Sequence, residues 1–223
     1  MKLRTGEARS NGVATKIADE VRTLVAGGML SPGVRLGQIE LAERFDSSPV
    51  PVREALKLLT SEGIVEHDPN RGFFVARLSS AEAWQLFRMR HLLEDDLLQS
   101  IEWPSRAQLA DLRKRAVELE RLLDAEQRRD WWLRHREFHQ TIFDFSPHKV
   151  MVREAMRLWT LTDRFRAILP LPRRSNAQRN LVRKHDLVEA LAEQDREKLV
   201  RLRRDRRVSF EGMVLEILED RNL

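Results

Sequence analysis

Eight of the nine glycines in this 223-residue chain lie at or before Gly72, and all five tryptophans lie after it. Glycine supplies the positive φ that tight turns need, and it is unfavourable inside helices. The distribution predicts a first part of short elements and tight turns, then a second part of long helices. The change falls near Leu78 to Ala81, where Ser79 can cap the next helix. The chain thus reads as a flexible arm at 1–12, a first domain at 13–78 and an all-helical second domain at 79–223.

In the first domain, Val13 to Ala26 reads as a helix with Ile17, Val21, Leu24 and Val25 on one face. Gly27 and Gly28 stop it, and Ser31-Pro32-Gly33 is a turn. Gln38 to Phe45 is a second, short helix with Ile39, Leu41, Ala42 and Phe45 apolar. Asp46 and Ser47 turn the chain, and Ser48 is placed to cap a third helix running to about Ser61. Pro49 and Pro51 fall in its first turn, where a missing N–H costs little. After Gly63, Ile64 to His67 and Phe73 to Arg77 read as two strands around the loop Asp68-Pro69-Asn70-Arg71-Gly72. Three helices followed by a hairpin is a winged helix-turn-helix layout.

The second domain reads as six helices, near 80–102, 105–125, 127–145, 149–168, 174–193 and 195–219. Trp103-Pro104, Ser146-Pro147 and the LPLPRR stretch from Leu169 to Arg174 break them. Short connections imply antiparallel neighbours. The expected fold class is mainly α, a winged helix-turn-helix followed by an antiparallel helical bundle.

Several classes are excluded or disfavoured. No run of about 18 apolar residues exists, so no membrane span is expected. The opening MKLRTGEARSNGVATK has no apolar stretch behind its basic residues, so neither a signal peptide nor an anchor is expected. The chain has no cysteine, which excludes disulfides and thiolate metal sites and fits a reducing cytoplasm. The net charge of +5 is compatible with nucleic acid, but residues 1–78 hold 11 Lys and Arg against 10 Asp and Glu. A DNA surface there must rest on a few placed side chains.

A helix after a tight turn can enter the major groove and present its first residues to base edges and phosphates. Here it offers Ser48, Val50, Arg53 and Lys57, the last two four apart and so on one face. Arg71 and Gly72 stand at the wing tip, where an arginine reaches a phosphate or the minor groove. One such helix makes few phosphate contacts, so a homodimer on a palindromic double-stranded operator is expected.

The stretch LSPGVRLGQIELAERFDSSPVPVREALKLLTSEGIVEHDPNRGFFV resembles the DNA-binding domain of the GntR family of transcription regulators. Its PG, L-x3-E-L-A, S-x2-PVREAL, L-x3-G-I-V and R-G elements stand in the family order. The second domain carries a thinner match to the FadR-type branch with an FCD effector-binding domain: Arg90 and Glu94, Glu137 to His139, and a run from His185. The resemblance implies a DNA-binding regulator rather than an enzyme, with Arg53 on DNA and the effector domain supplying much of a dimer interface. Pro49 departs from the arginine that the family usually places after the cap serine.

His135 and His139 are four apart on one helix, which is metal-ligand spacing, and His185 from a later helix is expected to close on them. The resemblance adds that the family's metal-binding members use an Asp four residues before the EFH histidine and then two more histidines. His135 replaces that Asp, and Arg206 stands near the last histidine's place. Three readings stay open: a metal-free pocket for a small organic acid lined by Arg90, His135, His139, His185 and Arg206, a three-histidine site for Zn or Ni, or purely structural histidines. No cofactor is required on the first reading. A histidine-based metal hydrolase lacks a general base on the correct face, since Glu137 points elsewhere, and a DNA-binding regulator without effector response is the remaining alternative.

Overall fold

The computed structural model describes residues 4–125, 127–166, 168–169 and 184–223, and for residues 4–11 and 128 the backbone alone. The chain divides into two compact units, Met1–Leu78 and Ser79–Leu223.

The first unit holds α1 (Arg4–Ala26), β1 (Arg35–Leu36), α2 (Gln38–Arg44), α3 (Pro49–Ser61), β2 (Val65–Asp68) and β3 (Gly72–Val75). The first helix begins at Arg4, so residues 4–12, expected as an arm, are helical. It presents Ile17, Ala18, Val21 and Val25 at helical spacing to Val52, Ala55, Leu56 and Leu59 of α3, all buried in one core. Gly28 closes α1 at φ 75°, and the Met29 and Leu30 amides turn back to the Leu24 carbonyl. Arg22 of α1 then clasps Glu62 just past α3 with two bonds of 2.7 and 2.6 Å.

Of the apolar residues of α2, Leu41 and Ala42 are buried and Ile39 is 69% exposed. It lies two residues from Leu41, roughly 200° around the helix, so both cannot face α3. The hairpin gains a strand: β1 pairs with β3, giving an antiparallel sheet in the order β1-β3-β2. Two residues are too few for an alternating pattern to declare itself in sequence.

The second unit contains α4 (Ser80–Gln99), α5 (Arg106–Asp124), α6 (Arg128–Phe143), α7 (Lys149–Arg166), α8 (His185–Ala192) and α9 (Arg196–Asp220). Ser79 caps α4 through the Glu82 amide, Ser105 and Gln108 form a capping box on α5, and Asp195 caps α9 through the Lys198 amide. The Trp103-Pro104 and Ser146-Pro147 breaks stand between helices. Of the helix expected at 174–193, the described part is α8; its start, and the break from Pro170 to Arg174, lie outside the described residues.

Helix α4 packs against α7 and α9, and α5 against α6 and α8. The buried stripe of α4 runs Ala83, Leu86, Phe87, Arg90, Glu94, Leu97, and that of α9 runs Leu199, Val200, Arg203, Arg207, Glu211, Val214. Both apolar stripes are therefore interrupted by charges at their centre. The helical packing carries those charges into the core, and that is where the second candidate site lies.

Candidate functional site

The first site is built on α3 and the hairpin. Asp46 sits at φ 45°, which turns the chain between α2 and α3. Ser48 has the extended backbone of an N-cap, but its hydroxyl makes no capping bond. Part of the reason is local: Pro51, three residues on, has no N–H to donate to the Ser48 hydroxyl. The Ser48 side chain is thus exposed and uncommitted to the helix. Val50 is 66% exposed, while Pro51 and Val52 turn inward. Arg53 and Lys57 are exposed on the outer face, and Lys57 meets Glu54 at 3.0 Å on that surface. All four predicted residues of α3 face outward together.

At the wing tip, Asp68 Oδ1 accepts the amides of Asn70 and Arg71 at 2.8 and 3.1 Å, which fixes the loop. Gly72 follows at φ 95°, a conformation that L side chains resist. The Arg71 guanidinium stands over the Phe74 ring at 5.3 Å and is exposed. Arg35, exposed on β1 opposite Phe74, adds a cation to this edge that sequence reasoning missed. Its only advance signal was a basic residue just after the Pro-Gly turn.

The second site is the charged centre of the helical unit. Glu94 is fully buried and accepts from Arg90 Nε and Nη2 at 3.0 and 2.8 Å and from the Trp159 indole at 2.7 Å. Its other oxygen lies 2.7 Å from Arg203 Nη2 and 3.3 Å from Arg207 Nη1. Burial alone would raise the Glu94 pKa, but Arg203, Arg90 and Arg207 hold it down to about 2. Arg90 also donates to Thr162 at 2.9 Å, so its donor groups are committed within the protein.

His135 and His139 are buried in an aromatic cage. The His135 ring stacks on Trp131 and Trp132 at 4.7 and 5.3 Å, and His139 lies 5.0 Å from Trp159. Burial, and then Lys184 beside them, holds both imidazoles well below the ordinary histidine range. His185 does not join them. As the first residue of α8 it faces Glu120 at 3.4 Å and is one-third exposed. Its neighbour Lys184 is the residue that turns inward, 3% exposed, among Arg206, Arg203 and Arg166. The expected three-histidine grouping is off by one position, because consecutive residues at a helix start point about 100° apart.

These donors do not fit a divalent metal. A structural or catalytic zinc takes at least three ligands from Cys, His, Asp or Glu. Among the described residues no such group of three is arranged to hold an ion. The charged groups acting on the two imidazoles are cations, Lys184 and Arg203 first among those common to both, and cations repel a metal ion. What the centre does offer is unpartnered polar atoms: the guanidinium donors Arg203 Nε, Arg206 Nη1 and Arg207 Nε, and the ring nitrogens His135 Nδ1 and His139 Nε2, are buried with no hydrogen-bond partner among the described residues. Arg206 Nη2 meets Asp186 at 2.8 Å. Sequence reasoning found Arg206 but missed Arg203, Arg207 and Lys184. The run RLRRDRR at 201–207 carried the signal, since 203, 206 and 207 share one helical face.

Comparison with known proteins covers both units. The family description "Bacterial regulatory proteins, gntR family" matches residues 13–75, and "FCD domain" matches residues 85–205. The HTH-type transcriptional regulator YdhC of Bacillus subtilis (strain 168) is 26% identical over 133 residues, 59% of each chain. The HTH-type transcriptional regulator BphR of Paraburkholderia xenovorans (strain LB400) is 31% identical over 157 residues, 68% of this chain and 60% of the relative. The match thus spans about three fifths of each relative's length. Among solved structures, E. coli McbR/YncC has the same fold at a TM-score of 0.81, with 21% identity over 92% of this chain and 97% of that one.

Proposed function

Because this chain belongs to the gntR family of bacterial regulatory proteins and carries an FCD domain, we propose that it binds operator DNA as a homodimer under the control of a small organic acid held in its helical unit. It is a DNA-binding transcription regulator by family, and no described helix is long and apolar enough to cross a membrane.

On DNA, Arg53 and Lys57 of α3 lie in the major groove with Ser48 and Val50 at the leading end. Arg71 and Arg35 meet the backbone or the minor groove beside Gly72. The exposure of these side chains on one helix face and one hairpin edge supports this reading. An in vitro selection from randomised duplexes is expected to return a palindrome. Arg53→Ala should lower affinity for the selected site at least about tenfold, in line with roughly 1–3 kcal/mol for a bidentate base contact. Its melting temperature should stay unchanged. Unchanged affinity at physiological salt would remove α3 as the reading helix.

The effector half of the proposal rests on one observation: buried guanidinium donors of Arg203, Arg206 and Arg207 without partners. An unpaired buried donor on a charged group costs several kcal/mol, roughly, and a carboxylate satisfies guanidinium geometry in pairs. Metal is not needed on this reading, and protein purified without chelator should contain well under one equivalent of Zn or Ni. A stoichiometric metal surviving dialysis would contradict it.

A further inference from the structure

We propose that the anion held in the helical unit carries at least two negative charges. The inference rests on the organic-acid reading above and adds the charge of the ligand. Six cations gather at the centre: Arg90, Arg203 and Arg207 around Glu94, then Arg166, Arg206 and Lys184 beside them. Four carboxylates answer them, among them Asp163, which faces Arg166 and is shared with Arg136 at 3.5 Å. Glu94 is shared by three of the arginines, Asp95 takes Arg207 at the rim, and Asp186 takes Arg206. Asp95 is shared again with Arg204, and Asp186 is half exposed to solvent. Even with all four counted in full, two of the six positive charges stand without a counter-charge.

The segment 170–183 does not supply one, for it contains Arg173, Arg174, Arg179 and Arg183 and no Asp or Glu. Uncompensated charge in a protein interior is strongly unfavourable, and natural cores keep it only when paired. A monocarboxylate balances one of the two charges and leaves the other. A dianion balances both. The vacant donors, Arg206 Nη1 and the Nε groups of Arg203 and Arg207, stand on three inward positions of α9, enough to receive two anionic groups.

The test is thermal melting of the full chain with succinate, butyrate or inorganic phosphate at matched ionic strength. Succinate and butyrate share four carbons and differ by one charge. Succinate should give its half-maximal rise at roughly tenfold lower concentration than butyrate or less, as a second charge-assisted pair implies. Phosphate acting below succinate would also support the double charge and assign it to a phosphoryl group. Butyrate within about twofold of succinate would overturn the double charge while leaving the organic-acid reading in place. No shift with any of the three would overturn both. Lys184→Gln should narrow the succinate preference to about threefold or less. It should melt no lower than wild type without ligand, because it relieves crowding of buried cations. A merely structural lysine would lower the melting temperature and leave the preference intact.

Discussion

Glu94 is the carboxylate that lets Arg90, Arg203 and Arg207 share one interior. Glu94→Gln removes that charge without changing volume, so three guanidiniums then face one another. Breaking a buried ion pair from one side costs about 3–5 kcal/mol, and urea unfolding should show a loss of that order. Its pKa of about 2 also fixes a pH dependence. The folded value lies below the unfolded one, so the contribution is present above about pH 4.5 and is lost as pH falls toward 2. The Gln variant should show a flatter loss across that window. At the DNA surface, Pro49 stands where the family has arginine. Pro49→Arg should steepen the salt dependence of operator binding by about one unit, because one more phosphate contact releases about one more counterion. An unchanged slope would place position 49 away from the backbone of the duplex.

The elements explain which features sequence could and could not declare. The α1 face of Ile17, Val21 and Val25, the short α2, the proline-led α3 and the hairpin all have strong local signals, in periodicity, caps and turn residues, and each is present. The two-residue β1 has none, so Arg35 was invisible as part of the wing. In the helical unit, apolar stripes located the helices, but the charges that interrupt them were scattered over α4, α7, α8 and α9. Which of them meet depends on packing between helices far apart in sequence. Lys184 and His185 show the limit most clearly: adjacent residues, one inside and one outside, separated by where α8 begins. At the wing, Gly72 holds φ 95°, so Gly72→Ala strains the tip by about 1–2 kcal/mol. It should weaken operator binding while the α1–α3 core stays intact. Wild-type affinity in that variant would show that the wing tip makes no contact.

In the proposed dimer each chain carries a DNA-reading unit and an anion-holding unit. Light scattering at micromolar concentration should give twice the 26.2 kDa chain mass, with and without DNA. A monomer in both states would contradict two-fold reading of a palindrome. The central claim is that anion binding in the helical unit changes operator affinity. The most direct measurement is the fluorescence anisotropy of a selected operator titrated with protein, with and without saturating succinate at constant ionic strength, in wild type and Arg206→Gln. Wild-type Kd should change by about 5–150-fold, the usual range of coupling between sites, and the variant's Kd should change little. An operator Kd that is the same with and without succinate, under conditions where melting shows succinate bound, would contradict it.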